Sequence, residues 1–517
     1  MSQLAPGPCT PLIQRVLASP GETRWKRLPR PHRLVAESFV WRPEFDIPMA
    51  FYQTSTARSF RVSDWLLGKC VGRDSGELRF LRQAERDRLG RDLHFVFACG
   101  WCFFVAWPVT YVEYAGIPLI ACTFIRVMYT FGLSWSLVLQ PLAMLCSLFW
   151  IWSAASLLWT PDVGQGVIQA GQARWLWCVF MIWPVIERRG WLIACLALGF
   201  VAGNCSQLGH AIGTHFDISW LRFDRQSDRN SGWWQPVVGG TILCGALGLH
   251  TPGVVLERGW RRFAALAGVC VSAVGIVATG SRGAWVAGLA TLAVGLPVSA
   301  IAGAGRGTLG PNRRIWMWGL GAMAGVAVAL AAAWPMLKAP VQRRYELARQ
   351  EVAAALERGD YNSDTGARIW MARTAVEALR AHPVRGVGAG GFREFARERL
   401  RAEGIDPATR AVHAHAHDTP LQIGATLGAV GLVLGMLIAF VALWNGVAVA
   451  SRDLSRPYAI GPGIAILGML FAGAFDSIHV NTQTCAALFV LLGLCPSYLP
   501  RASEALSGGA LAGGARA

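Results

Sequence analysis

Three histidines fall within five residues near the end of the chain: His413, His415 and His417. Asp418 follows directly, and a long apolar stretch begins after it. Imidazole titrates near neutral pH and is the most frequent general base in enzymes. Three alternating histidines with a carboxylate could instead bind zinc, or the cluster could only pack and form hydrogen bonds. The residues alone leave these three interpretations open.

A second candidate is Arg282, in the sequence Gly280-Ser281-Arg282-Gly283 between two apolar runs. Gly280 is suited to end one helix and Ser281 to cap the next. The spacing therefore predicts Arg282 in the first turn of a helix, where the helix N-terminus and the guanidinium together favour an anion. The alternative interpretation is an arginine that extends its side chain to the membrane interface.

Further polar candidates occur outside or at the edges of the apolar runs. Arg368 is predicted to begin a helix in an arginine-rich segment, where an ordinary solvated arginine is the alternative. The remaining candidates are Arg229, which precedes Trp233 and Trp234; Trp370; Arg174 near the end of an apolar run; and Asp476, His479 and Asn481 between the last two runs.

The elements that must position these residues are membrane helices. The chain has 517 residues, 53% of them hydrophobic, which excludes an ordinary soluble enzyme. Apolar runs of about 18 residues or more are typical of transmembrane helices. About twelve are predicted, near 92–111, 116–133, 135–158, 166–186, 190–208, 233–250, 261–278, 283–303, 314–336, 419–449, 459–475 and 481–499.

The chain has a net charge of +17, and its positively charged residues are distributed along the chain as membrane topology requires. Arginines lie mostly in alternate short connections, for example Arg188 with Arg189 and Arg452 with Arg456, while the intervening connections 111–116 and 160–165 have no Lys or Arg. Positively charged short loops stay in the cytoplasm. We therefore predict cytoplasmic termini, an outer side that carries the candidate residues, contact with membrane lipids and no nucleic-acid partner.

The predicted organisation has five segments. Residues 1–91 form a basic N-terminal extension, 92–336 carry nine membrane helices, 337–418 form a large outer loop, 419–499 carry three more helices and 500–517 form a tail. Helical periodicity predicts helices at 341–356, 367–379 and 392–400 inside the large loop. Long loops in compact proteins are usually functional.

Together these motifs resemble the bacterial O-antigen ligase and O-antigen polymerase family. The family pattern is a histidine and a small polar residue, nine residues, then Gly-x-x-Gly, and the segment from His417 to Gly431 matches its spacing. Ser281-Arg282-Gly283-Ala-Trp285, Arg368-Ile-Trp370 and Arg229-x-Ser-Gly resemble other family segments. Asp418 departs from the family, which more often has Asn, Ser or Gln there.

The resemblance implies an all-α polytopic membrane protein, similar to GT-C-type glycosyltransferases, with a large helical periplasmic loop. It implies an inverting enzyme of the bacterial inner membrane, without metal or cofactor, that transfers a preassembled glycan from undecaprenyl pyrophosphate to lipid A-core or another glycan acceptor. The implied roles are His417 as catalytic base, Arg282 and Arg368 as catalytic cations, and substrate binding by Arg229, His415, Asp418, Arg174 and Trp370.

Two kinds of alternative follow. Within the class, the chain could be an O-antigen or exopolysaccharide polymerase, or a protein O-oligosaccharyltransferase. From another class, it could be a transporter or flippase for lipid-linked glycans. Transporters often place charges near the membrane midplane, whereas the best candidates here lie at one face, which favours an enzyme.

Overall fold

The structure, a computed structural model, describes residues 87–130, 140–221, 232–304, 313–408, 412–450 and 460–495. Within these ranges every regular element is a helix. The predictions for Arg229, for most of the N-terminal extension and for the C-terminal tail lie outside the described residues. The all-α prediction is confirmed for the part of the chain that is described.

We number the described α-helices in chain order. They are α1 (Arg88–Phe104), α2 (Val109–Ile125), α3 (Pro141–Ala155), α4 (Val163–Ala170), α5 (Trp177–Ile182), α6 (Arg189–His215), α7 (Pro236–Leu256), α8 (Trp260–Ala278), α9 (Arg282–Ala304), α10 (Arg313–Glu357), α11 (Asp364–Ala381), α12 (Phe392–Ala402), α13 (Thr419–Ala450), α14 (Gly461–Gly473) and α15 (Thr482–Leu494).

Several of these helices can span a membrane, so the protein is multi-pass. Among the described residues, six helical segments are long and apolar enough, or seven if the bent α10 counts as one span. The helices α2, α14 and α15 are apolar but shorter. The count of about twelve stays a prediction. The predicted span 166–186 is divided, because 3₁₀ segments at Gly171–Leu176 and Trp183–Arg188 interrupt it.

The helix α7 lies at the centre of the bundle and packs against α8, α9 and α14. Its glycines permit this close approach. A Cβ on Gly248 would lie 2.6 Å from the backbone oxygen of Ile464 on α14, and one on Gly240 would lie 2.6 Å from Cβ of Ala284 on α9. Small residues at helix contacts let membrane helices approach until their backbones touch.

We call residues 337–418, which were predicted as a large loop, the cap segment. Its first part is helical. The helix α10 continues into it, bent by 59° between its halves Met323–Ala339 and Val341–Glu357. The break falls at residue 340, a proline, which lacks the N–H that an unbroken helix needs. Within the cap segment, α11 and α12 share a small core that includes Trp370, Met371 and Phe392.

The predicted last-but-two span, 419–449, contains a break that the hydropathy pattern does not show. Gly428 has φ 67° and ψ −163° inside α13, a conformation that is essentially restricted to glycine. Its position also has no room for a side chain, since a Cβ would lie 2.2 Å from the carbonyl oxygen of Val384. The helix therefore changes direction where the cap segment touches it.

We expect Gly428→Ala to destabilise the folded protein by at least about 1–3 kcal/mol, the cost of forcing a non-glycine residue into this backbone conformation. The matched control is Gly435→Ala, in the same helix, where a Cβ would meet only Ile423 at 3.7 Å. Size-exclusion chromatography after stepwise heating in detergent measures the difference. Equal thermal stability of the two variants would contradict the role assigned to the break.

Candidate active site

His417 lies two residues before the start of α13, in a left-handed backbone conformation with φ 54°. Its Nδ1 is 3.3 Å from Oδ1 of Asp476, a carboxylate between α14 and α15. Burial raises the pKa of Asp476, but the hydrogen bond from His417, the interactions with the imidazoles of His415 and His417 and a hydrogen bond with the backbone of Ser477 outweigh burial and lower this pKa below its ordinary value. Asp476 is therefore ionised and can orient the imidazole of His417.

The chain before α13 and the turn at 475–478 are held together by several hydrogen bonds. The hydroxyl of Thr419 donates to the carbonyl of Asp476 at 2.7 Å and accepts from the N–H of Ile478 at 3.0 Å. The Ser477 hydroxyl donates to the carbonyl of Asp418 at 3.4 Å. Because both segments are fixed to one another, the His417–Asp476 pair is pre-organised.

Asp418 serves a different purpose from its neighbour. Its side chain accepts a hydrogen bond from the N–H of Leu421 at 2.7 Å, so it caps the N-terminus of α13. Burial raises the pKa of Asp418. The carboxylate that contacts His417 is Asp476, which lies 59 positions after His417 in the chain, and the substrate-binding role of Asp418 stays a prediction.

His415 lies beside His417, with ring centroids 4.2 Å apart and planes at 67°. Burial, with smaller contributions from His417 and other charges, lowers the pKa of His415 to about 4. His479, on the turn that carries Asp476, has its pKa lowered to about 4 by burial as well. Both imidazoles are thus neutral at neutral pH.

The glycine-rich turn 386–391, which we call the glycine turn, docks on the break in α13 through backbone groups. The N–H of Val387 donates to Ala425 at 2.8 Å and that of Gly388 to Thr426 at 2.9 Å. The spacing from His417 to Gly428 therefore has a structural meaning. It places one short helical segment, residues 419–427, between His417 and the break at Gly428, and the glycine turn docks at the end of this segment.

One side chain joins the glycine turn to the histidine cluster. Gln169 of α4 accepts a hydrogen bond from the N–H of Gly390 at 2.9 Å and donates to the carbonyl of Ala414 at 3.3 Å. Thr160 also donates to Ala389 at 2.7 Å. The connection 160–165 thus lies at the same end of the bundle as His417, as the predicted topology requires.

Arg368, in the first part of α11, lies against the same turn as Asp476. Its guanidinium donates to the carbonyl of Phe475 at 3.1 Å, and its charge adds to the burial that lowers the pKa of His415. The start of α9 also touches this turn, since a Cβ on Gly283 would lie 2.3 Å from Cβ of Phe475. Three segments that are distant in sequence therefore meet at Phe475.

Arg282, at the first residue of α9, is held by the cap segment. Its guanidinium donates to the Thr365 hydroxyl at 2.8 Å, lies 3.5 Å from the carboxylate of Glu351 and contacts the carbonyl of Arg344 at 3.4 Å. The Thr365 hydroxyl in turn donates to Glu351. Because Thr365 and Arg368 are three residues apart on α11, they lie on one face of that helix.

The arrangement offers a base at His417 and two cations, Arg282 and Arg368, on helices that both meet the turn at Phe475. His417 can accept a proton, with Asp476 orienting the ring, and the two guanidinium groups can stabilise negative charge that develops on a leaving group. His415, His417 and Asp476 also each offer a ligand atom that could hold a metal ion. The two possibilities compete for the same imidazole.

An apolar cavity of about 260 Å³ adjoins the site. Its lining includes Thr419 and His479 next to the histidine cluster, and continues along α13 to Met436. The side chain of Met436 is largely exposed on the apolar surface of the bundle. The cavity thus extends from the site toward the part of the surface that lipid would cover.

Two predicted binding residues lie apart from this convergence. Arg174 is in a 3₁₀ segment, 3.8 Å from the carboxylate of Glu113, and stacks on Trp175. Trp370 is buried in the core of the cap segment, with 3% of its surface exposed. Its contribution to the site is to fix α11, the helix that carries Arg368. The role in substrate binding that was expected for both residues stays a prediction.

The sequence indicates Asp476 only weakly and does not indicate Glu351 or Thr365. Asp476 had one signal, an acidic residue between two apolar runs. Glu351 and Thr365 had none, because each is an ordinary polar residue on an amphipathic helix until Arg282 is brought to it from 69 and 83 residues away.

Comparison with known proteins bears on the middle of the chain. Residues 267–436 match the model of a protein family described as O-antigen ligase (Wzy_C). A protein of Haemophilus influenzae, described only as uncharacterized, is 26% identical over 113 residues. That match covers 22% of this chain and spans 28% of the length of the Haemophilus protein. The family resemblance inferred from the motifs is confirmed. The segment that matches the family model, residues 267–436, contains Arg282, Arg368 and His417.

We expect Arg282→Ala to loosen the cap segment, because Glu351 would keep only the Thr365 hydroxyl from this cluster as a partner. Limited trypsin digestion in detergent should cut the cap segment several-fold faster than in the wild type. Arg373→Ala is the control, since Arg373 donates a hydrogen bond to the hydroxyl of Tyr361 within the cap segment. Equal digestion rates for both variants would show that the Arg282 cluster does not anchor the cap segment.

Proposed function

We propose that this multi-pass membrane protein, with an O-antigen ligase domain in residues 267–436, is an inverting glycosyltransferase of the bacterial inner membrane. The proposed reaction moves a preassembled glycan from undecaprenyl pyrophosphate to a lipid A-core acceptor at the periplasmic face. The observation that supports it most is the convergence of His417, Arg282 and Arg368 around Phe475 and Asp476, at one end of a membrane bundle.

In the proposed reaction, His417 takes the proton from the acceptor hydroxyl as its oxygen attacks the anomeric carbon of the glycan. The bond between that carbon and the pyrophosphate oxygen breaks, and the electron pair leaves with the pyrophosphate. Arg282 and Arg368 stabilise the negative charge that develops there. The arrangement supplies a base and two fixed cations, which are the groups that this displacement needs.

Asp476 acts through His417. A carboxylate on one ring nitrogen fixes the tautomer, so that the other nitrogen presents its lone pair to the hydroxyl. It also stabilises the imidazolium that forms when the proton is taken. We therefore assign Asp476 as a positioning residue for the base.

The apolar cavity supports a lipid-linked donor. A polyprenyl chain must stay in hydrocarbon while its pyrophosphate reaches the cations, and the cavity extends from the histidine cluster to the lipid-exposed surface of α13. The length of the cavity along α13 accommodates part of such a chain, and the rest would remain in the bilayer.

We expect His417→Ala, Arg282→Ala and Arg368→Ala each to lower glycan transfer by about 10²-fold or more, because each removes either the base or a cation that acts in the transition state. The measurement is made in a strain that lacks its own ligase, at matched membrane expression, with lipid A-core resolved by gel and glycan staining. Wild type should produce a polymer ladder on lipid A-core.

His382→Ala is the control, since His382 ends α11 about 20 Å along the helix from Arg368. A ladder of wild-type intensity from any of the three alanine variants would contradict that residue's role. Longer carrier-linked chains without a ladder would indicate the polymerase. Glycan on a protein would indicate the protein transferase, and movement of the donor lipid without a new glycosidic bond would indicate the flippase.

Asp476→Asn should lower the turnover rate by about 10²-fold, because an amide cannot stabilise the imidazolium and can hold the ring in the wrong tautomer. The apparent KM for the donor should change little, since Asp476 contacts His417 and not the cations. Steady-state transfer by purified protein in nanodiscs separates the two constants. An effect confined to KM would indicate that Asp476 shapes donor binding instead.

A further inference from the structure

The histidine cluster contains a set of ligand atoms that the proposed reaction does not use together. His415, His417 and Asp476 each offer one ligand atom, and these three atoms lie within 4.8 Å of one another. In the part of the chain that the structure describes, no other group of three or more His, Cys, Asp or Glu has this geometry. Two imidazoles and one carboxylate are ligands that zinc prefers.

The distances agree with those of a small tetrahedral ion. Zinc binds nitrogen and oxygen at about 2.0–2.2 Å, so two of its ligand atoms lie about 3.4 Å apart. The distance between Nδ1 of His417 and Oδ1 of Asp476 is 3.3 Å. The rings of His415 and His417 are inclined at 67° rather than stacked in parallel, which allows a nitrogen of each to approach the same point.

The ligand His415 is held ready for a metal ion. Its Nδ1 is buried and has no hydrogen-bond partner among the described residues. The hydrogen bonds of Thr419 fix Asp476 relative to α13. Little reorganisation is therefore needed for all three residues to bind one ion.

We propose that His415, His417 and Asp476 form a binding site for a divalent transition-metal ion of the zinc type, and that occupation of this site blocks the reaction of His417. An ion bound to Nδ1 of His417 leaves the proton of the neutral ring on Nε2, so Nε2 no longer has a lone pair for the acceptor hydroxyl, and metal binding and base catalysis exclude one another. The inhibitory part rests on the proposed function, whereas the binding part does not.

The carboxylate ligand is Asp476 because Asp418 is engaged in capping α13. With three protein ligands, the fourth position of a tetrahedral ion is left for water. Imidazole nitrogen with one carboxylate favours zinc, copper or nickel, whereas magnesium and calcium prefer sites built from oxygen. The site should therefore discriminate zinc from magnesium.

The experiment uses the full chain in lipid nanodiscs, stripped of metal by a chelator and treated with N-ethylmaleimide so that the cysteines do not bind zinc. Titration with Zn²⁺ against a fluorescent zinc indicator should show one tight site. His415→Gln and Asp476→Asn should each weaken zinc binding at least about 10-fold, since even mutation of residues that only hydrogen-bond to metal ligands lowers metal affinity by that factor. His382→Gln is the matched control.

Zinc X-ray absorption provides a second readout, because zinc–nitrogen and zinc–oxygen bonds of about 2.0–2.2 Å differ from zinc–sulfur bonds of about 2.3 Å. Sulfur ligands, or equal affinity of wild type and both ligand variants, would overturn the site. If the wild type transfers glycan, zinc should inhibit it and EDTA should restore it. Tight binding at these residues without inhibition would overturn the competition with the base but leave the metal site.

Discussion

Main-chain hydrogen bonds between the glycine turn and the broken helix α13 determine where His417 lies. A helix interior offers no free N–H or C=O groups, so a second segment can bond to it only where the helix is interrupted. Gly428 provides the interruption, and the N–H groups of Val387 and Gly388 use the carbonyls of Ala425 and Thr426. The segment between His417 and Gly428 is consequently fixed at both ends, by this docking and by the Thr419 contacts with the turn at 475–478.

Charge balance is the second constraint on this end of the bundle. Arg282 has Glu351 as a partner, and His417 has Asp476. Arg368 rests on the carbonyl of Phe475, so its charge is not neutralised by that contact. Glu351 therefore offsets the charge of Arg282 and weakens its repulsion of Arg368, and the two guanidinium groups are carried by separate helices, α9 and α11.

The sequence was sufficient to predict residues with local signals. Hydropathy predicted a helical, multi-pass membrane protein, while its count of about twelve spans stays a prediction, and the His417 to Gly431 spacing indicated the family. The capping residues predicted that Arg282 begins a helix, which α9 confirms. The sequence was insufficient to predict contacts between side chains that are distant along the chain. Asp418 is adjacent to His417 in sequence, yet the strained backbone at His417 and the cap of α13 direct it away, and Asp476 takes its place. The pairing of Glu351 with Arg282 likewise needs the bend in α10.

Under the proposed function, the contact of Arg282 with Glu351 and Thr365 also bears on which lipids can enter the site. Any headgroup that uses Arg282 must compete with a carboxylate that is already in place. A phospholipid with a single phosphate charge offers the guanidinium no more than Glu351 does, whereas a pyrophosphate carries more charge and more acceptor oxygens. In the proposed reaction, the internal carboxylate would thus set a minimum charge for occupancy and keep the abundant lipids of the surrounding bilayer from filling the site in place of the lipid-linked donor.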